Sequence, residues 1–247
     1  MRLLVPGRSG LPAPADLDDA GLFTAYAAPG GPWVRCNMIT SLDGAATGPD
    51  GRSGSLNNEA DHVVFEVLRA LSQVIVVGAG TIRAEGYPPL SVSDSLLDLR
   101  RGLGLPEALP LVAVSNHGAV PPTLSGCRDG RALMAVPDSA PGLAQARRDL
   151  GHENVIVCGE DEVDVAALLS ALAERGWDHV LTEGGPTLLA AFLSAGSMDE
   201  LCFTIAPQVV GGEHPRPVAL QGVPLDLQLE LLVEQDDTLM GRWLVRR

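Results

Sequence analysis

The chain contains no lysine: all 17 of its basic residues are arginine. That absence removes chemistries that need a lysine amine, namely Schiff-base aldolases, pyridoxal enzymes and phosphate loops of the Walker type. No apolar run reaches the roughly 18 residues of a membrane helix, and no basic start followed by an apolar core marks a signal peptide, so the expected setting is cytoplasmic. The four cysteines, Cys36, Cys127, Cys158 and Cys202, include no C-x-x-C pair, which argues against a zinc site or a disulfide framework and for small buried side chains. Basic charge is also scarce. A net charge of −14 opposes nonspecific binding to nucleic acid or to an anionic membrane, though local arginines can still receive an anionic small molecule.

What the chain does have is an alternation of apolar runs and helical periodicity. Residues 1–32, rich in Pro, Gly and Ala, read as an irregular lead-in with room for a short helix. From residue 33 the pattern turns regular and reads as one domain over 33–247. Strands are expected at 33–39, 74–77, 111–115, 132–136, 155–158 and 179–182, with helices at 59–71, 142–150, 165–175 and 187–195. Such alternation implies a mostly parallel sheet covered by helices on both faces, an α/β fold. The pattern then changes: 200–206, 227–233 and 239–245 read as strands without helices between them. The turn at 235–238 makes the last two an antiparallel hairpin.

Three motifs follow expected strands in a fixed order: Thr40-Ser41-Leu42-Asp43-Gly44, Gly78-Ala79-Gly80-Thr81 and Glu183-Gly184-Gly185-Pro186-Thr187. A strand, a tight glycine turn and a helix start present backbone N–H groups to phosphate, because glycine admits close approach and the helix N-terminus favours an anion. Pro186 suits a first helical position, where its missing N–H is not needed. A nucleotide cofactor is the first expectation. Asp43-Gly44 also reads as a plain turn, Glu183 as a solvated turn residue, Arg69 as an exposed helical arginine and Ser115 as a turn serine.

With Asp199-Glu200-Leu201 and the segment from Ile205 to Gly212, these motifs resemble the reductase domain of bacterial riboflavin-biosynthesis deaminase-reductases. The resemblance implies a dihydrofolate-reductase-like fold, a three-layer αβα sandwich, and a reductase that takes a hydride from NADPH. The implied substrate is 5-amino-6-(5-phosphoribosylamino)uracil, whose ribosyl group is reduced to the ribityl form. The zinc deaminase signature of the bifunctional members is absent, so a stand-alone reductase without a metal is implied. A pterin-type substrate on the same fold, or NADPH binding without turnover, are the other readings.

The same resemblance implies the site. Cofactor contacts fall on Thr40, Gly78, Gly80, Thr81, Glu85, Ser115, Gly184, Gly185, Pro186, Thr187 and Leu188. Substrate contacts fall on Asn37, Ser53, Arg69, Leu90 and Glu183, with Glu183, Asp43 and Glu85 as the carboxylates expected to orient substrate or manage a proton. Two positions depart from the family: Asn37 replaces a lysine, and Ser91-Val92-Ser93 stands where an arginine is expected after Leu90. Family members often form homodimers, and the C-terminal strands are expected to pair across a two-fold axis.

Overall fold

The computed structural model describes residues 1–219 and 224–246, so 220–223 and 247 of the expected domain lie outside the described residues. In chain order the elements are β1 (Arg2–Val5), β2 (Ala15–Asp16), α1 (Asp19–Ala25), β3 (Trp33–Ser41), α2 (Glu59–Ala70), β4 (Val74–Gly78) and α3 (Ala79–Glu85). There follow α4 (Asp94–Gly102), β5 (Leu111–Val114), β6 (Ala132–Val136), α5 (Leu143–Leu150), β7 (Val155–Val157), α6 (Val165–Ala173) and β8 (His179–Thr182). The chain closes with α7 (Pro186–Ser194), β9 (Glu200–Ala206), β10 (Leu227–Gln235) and β11 (Thr238–Val245).

All the strands join one sheet in the order β2-β1-β10-β11-β9-β3-β8-β4-β5-β6-β7. The run from β9 to β7 is parallel, and β11, β10, β1 and β2 add on antiparallel. Alternation along the central strands explains their unbroken apolar character, since both faces are covered. In β4, Ile75 and Val77 pack in the core under α1, α2 and α3, whereas Val74 and Val76 pack in the core under α6 and α7. Leu111 and Ala113 against Val112 repeat the division in β5.

The fold class is as expected, with three differences of detail. The lead-in is not irregular: β1 pairs with β10, and its buried Leu3 enters the core. Four residues flanked by Pro and Gly are too few for periodicity to reveal a strand. The helix α4 was also not anticipated, because its apolar positions are few and charged residues dominate. The C-terminal hairpin of β10 and β11 does not end the sheet: β1 pairs with residues 232–234 of β10, and β2 lies beyond β1. The hairpin turns at Asp236 and Asp237, both with positive φ (50° and 63°), as a two-residue reversed turn requires.

The topology sets the site. The chain runs from β3 to β4, moves outward to β7, returns as β8 between β3 and β4, and crosses to β9 on the far side of β3. The direction of winding therefore reverses around β8, and the C-terminal ends of β3, β8 and β4 open onto a crevice there, the usual place for a ligand in a parallel sheet.

Candidate active site

Two of the glycine motifs meet at this crevice. The Gly78 N–H donates to the Gly184 carbonyl at 2.9 Å, tying the end of β4 to the turn after β8. Gly184 and Gly185 have φ of +82° and +49°, and a Cβ at Gly184 would stand 2.5 Å from the Met38 sulfur, so the turn is closed to any larger residue. Helix α7 begins directly after it with Pro186 in the first turn and no side chain capping its N-terminus. The N–H groups of Thr187 and Leu188 therefore face outward without an intrahelical acceptor. Helix α3 starts beside it at Gly78, also without a side-chain cap, and a Cβ at Gly80 would meet only open space.

A cleft of about 800 Å³ extends from these helix ends along α2, within the size range of small-molecule sites. On one wall Arg69 of α2 grips Glu183 with two bonds, Nε to Oε1 at 2.6 Å and NH2 to Oε2 at 2.9 Å. The Glu183 side chain is 1% exposed and that of Arg69 12%. Burial alone would lower the pKa of Arg69, but Glu183 outweighs it and holds the guanidinium above its ordinary value. Phe65, one turn earlier on α2, lies under the guanidinium at 3.9 Å, and the Tyr87 ring lies 5.6 Å away. Burial first, and then the negative charge of Glu183, push the Tyr87 hydroxyl well above its usual pKa. Glu85, the last residue of α3, accepts from the Ser53 N–H and hydroxyl, both at 3.0 Å, and so holds the loop before α2 against the cleft.

Many of the expected residues come together here. Asn37, Ser53, Arg69, Gly80, Thr81, Glu85, Leu90, Glu183, Gly185 and Pro186 all line the cleft. Gly78, Gly184, Thr187 and Leu188 belong to the two turns and the start of α7 beside the cleft and are not among its lining residues. Three expected residues stand apart. The Thr40 hydroxyl is turned to the Ser41 carbonyl at 3.0 Å. Ser115 accepts from the N–H groups of His117 and Gly118, both at 3.2 Å, closing the turn after β5. Asp43 accepts from the Ser41 hydroxyl at 2.5 Å and from the N–H groups of Val210 and Gly211 at 3.2 and 2.7 Å. These bonds draw its pKa down to about 2 and make it a clamp between two loops. Asp43, expected among the catalytic carboxylates, is absent from the cleft lining because its oxygens are engaged in this clamp.

Asp61, His62, Phe65, Glu66 and Tyr87 also line the cleft and were missed. Phe65 and Arg69, four apart on α2, were readable as a helical pair. Asp61 looked like an ordinary acidic residue in a first helical turn. Only the packing of α2 on β9 turns it inward.

Residues 32–238 match the RibD C-terminal domain. The chain belongs to that family. It is 33% identical over 183 residues to the 2,5-diamino-6-ribosylamino-4(3H)-pyrimidinone 5′-phosphate reductase of Archaeoglobus fulgidus, an alignment covering 73% of this chain and 83% of the relative. It is 31% identical over 198 residues to the riboflavin biosynthesis protein RibD of Bacillus amyloliquefaciens, covering 77% of this chain and 50% of that protein, so the match spans about half the bacterial relative. Among solved structures, a pyrimidine reductase-like protein from Corynebacterium diphtheriae superposes with a TM-score of 0.76 at 26% identity, covering 87% of this chain and 92% of the other. The similarity thus spans most of the chain in sequence and in fold.

Proposed function

We propose that this RibD-type domain is an NADPH-dependent reductase of a phosphorylated ribosylaminopyrimidine in riboflavin biosynthesis. The observation that carries the reading is the junction of the uncapped α7 start, closed by Gly184 and Gly185, with a cleft lined by Arg69 and Glu183. NADPH fits this arrangement. The backbone at Gly80 borders open cleft space, a Cβ at Gly185 would stand 2.9 Å from the Thr81 hydroxyl, and the N–H groups of Thr187 and Leu188 in the first turn of α7 suit a pyrophosphate. When bound, the cofactor supplies the hydride, leaving as NADP⁺.

The net reaction adds a hydride to C1′ of the ribosyl group and a proton to the oxygen released as the sugar ring opens, giving the ribitylamino form. The chain's part is positioning. The Arg69–Glu183 pair fixes the wall on which the pyrimidine rests, Phe65 and Tyr87 supply flat apolar surface for it, and Glu85 secures the loop over it. The reading extends to a cytoplasmic setting and to a homodimer. A second copy would cover Leu225, Leu227 and Leu229, which lie about 40% exposed at and before the start of β10. Sedimentation of the purified chain tests the dimer. NADPH oxidation with the phosphoribosylaminopyrimidine tests the reaction, and NADPH binding without oxidation would leave only a binding protein.

A further inference from the structure

The proposed reaction needs a proton as well as a hydride, because the ring oxygen that parts from C1′ must become a hydroxyl. Most of the groups lining the cleft are poor sources of it. Glu183 gives both oxygens to Arg69, and Glu66 lies 3.6 Å from the same guanidinium. Glu85 accepts from two Ser53 donors. Tyr87 holds its proton tightly, because burial and the charge of Glu183 oppose the phenolate. His62 is exposed to water at the rim, beside Phe65.

Asp61 differs from all of these. It lines the cleft from the first turn of α2, is 3% exposed, and its Oδ1 is buried without a hydrogen-bond partner. Burial is the largest influence on the carboxyl and raises its pKa; a hydrogen bond from the Thr204 side chain on β9 and the charge of His62 offset this only in part. The ionisable groups about it are His62 on its own helix and Tyr26 at the end of α1, which in turn feels Cys202, Glu200 and Arg242. A carboxyl in such surroundings favours its protonated form. One oxygen then accepts from Thr204, and the proton is left without an acceptor until a ligand brings one.

Its place along α2 suits the sugar. Asp61, Phe65 and Arg69 recur at every fourth residue and share one stripe of the helix, so Asp61 lies about 6 Å beyond Phe65, on the side away from Arg69. A pyrimidine seated on Phe65 and Tyr87, against the Arg69–Glu183 pair, extends its ribosylamino group by one helical turn to Asp61. We propose that Asp61 is the acid of the reaction, giving its proton to the ring oxygen of the ribosyl group as the C1′–O4′ bond breaks. The proposal rests on the reductase reading and names the residue that supplies its proton. The lone pair of the amino nitrogen forms a C=N bond at C1′, the C1′–O4′ electron pair withdraws onto O4′, and O4′ takes the Asp61 proton to become a hydroxyl. The iminium so formed accepts the hydride at C1′ and becomes an uncharged amine. The Asp61 carboxylate regains a proton from water, so each turnover consumes one NADPH and one proton.

The test follows NADPH oxidation with the phosphoribosylaminopyrimidine across pH for the natural protein, Asp61→Asn and Asp61→Glu. In the natural protein kcat/KM should decline as pH rises and the acid loses its proton. Asp61→Asn keeps the shape but has no such proton to give, so kcat should drop on the order of 10²- to 10⁴-fold and the alkaline decline should vanish, with the Kd for NADPH unchanged. Asp61→Glu should recover part of the rate together with the decline. A loss in Asp61→Asn of less than about tenfold, a decline that survives in that variant, or an Asp61→Glu protein no better than Asp61→Asn overturns the proposal and leaves the reductase reading standing. If the natural protein oxidises no NADPH, the reductase reading fails, and Asp61 is judged by NMR without cofactor, from exchange between the α and β anomers of the ribosylamine, which passes through the same ring opening. Exchange accelerated by the natural protein and not by Asp61→Asn supports the acid, and exchange at the buffer rate refutes it.

Discussion

Arg69 and Glu183 meet where α2 passes the end of β8, in a two-point ion pair of 2.6 and 2.9 Å that is almost wholly shielded from water. Parallel bonds of this kind fix direction as well as distance, since guanidinium and carboxylate are both planar. Glu183 is therefore a fixed feature of the cleft wall.

Glu183→Gln removes one charge and leaves Arg69 with Glu66, 3.6 Å away, and the Phe65 ring. Breaking a fully buried pair costs about 3–5 kcal/mol, and the remaining partners should bring this loss nearer 2 kcal/mol. Displacement of the wall by about 1 Å should lower kcat/KM for the pyrimidine on the order of 10²-fold. Urea unfolding and NADPH titration check both effects, with cofactor affinity expected to hold. Unchanged turnover would place the pair outside the active site.

Gly184→Ala should weaken both stability and cofactor binding. Its φ of +82° is unfavourable for alanine, and the new methyl group would press on the Met38 sulfur. Strain of this kind costs on the order of 1–3 kcal/mol. The same variant should raise the Kd for NADPH, because the turn sets the start of α7. A variant with lowered stability but normal NADPH affinity would separate the turn from the cofactor.

Asp43→Asn tests the clamp. The folded pKa of Asp43, drawn to about 2 by Ser41 and by the Gly211 and Val210 N–H groups, lies below the ordinary 3.8. A depressed carboxylate pKa means stability that is present above the unfolded value and is lost as pH falls through the folded one. The variant should therefore melt below the natural protein by a constant margin at pH 7 and pH 5, and the margin should narrow between about pH 4 and pH 2. Turnover at neutral pH should change only a few-fold. A large loss of kcat with an unchanged Tm would return Asp43 to the catalytic carboxylates.

Away from the cleft, Glu200 is fully buried between Arg35 and Arg242, with nitrogen to oxygen distances of 3.6 and 2.8 Å. It also accepts from the Trp33 indole at 2.8 Å and from the Cys202 thiol at 3.1 Å. Glu200→Gln leaves two guanidinium groups in the interior with no counter-charge. A loss of about 3–5 kcal/mol in urea unfolding is expected. A loss below about 1 kcal/mol would mean that water reaches the triad.

The parts of this molecule that could be read from its sequence are those governed by local rules. Val74 to Val77 is apolar throughout because both sheet faces are covered, and Gly184 and Gly185 after β8 mark a turn that no side chain fits. The hydrogen bond from Gly78 to Gly184 joins two motifs about a hundred positions apart, and their common type made that meeting foreseeable. Less legible was anything decided by register or packing. Arg2–Val5 is a strand only because β10 lies beside it, and Asp61 faces the cleft only because α2 sits over Thr204. Asp43 shows the reverse: its motif suggested chemistry, but the backbone of Val210 and Gly211 claims its oxygens.

The most direct test of the reductase reading follows NADPH absorbance with the purified protein and the phosphoribosylaminopyrimidine, bearing an amino group or a carbonyl at C2, with mass spectrometry of the product. Substrate-dependent oxidation, with one NADP⁺ formed for each pyrimidine that gains two hydrogens, is the expected result. NADPH that binds the protein yet stays reduced with both forms would contradict it.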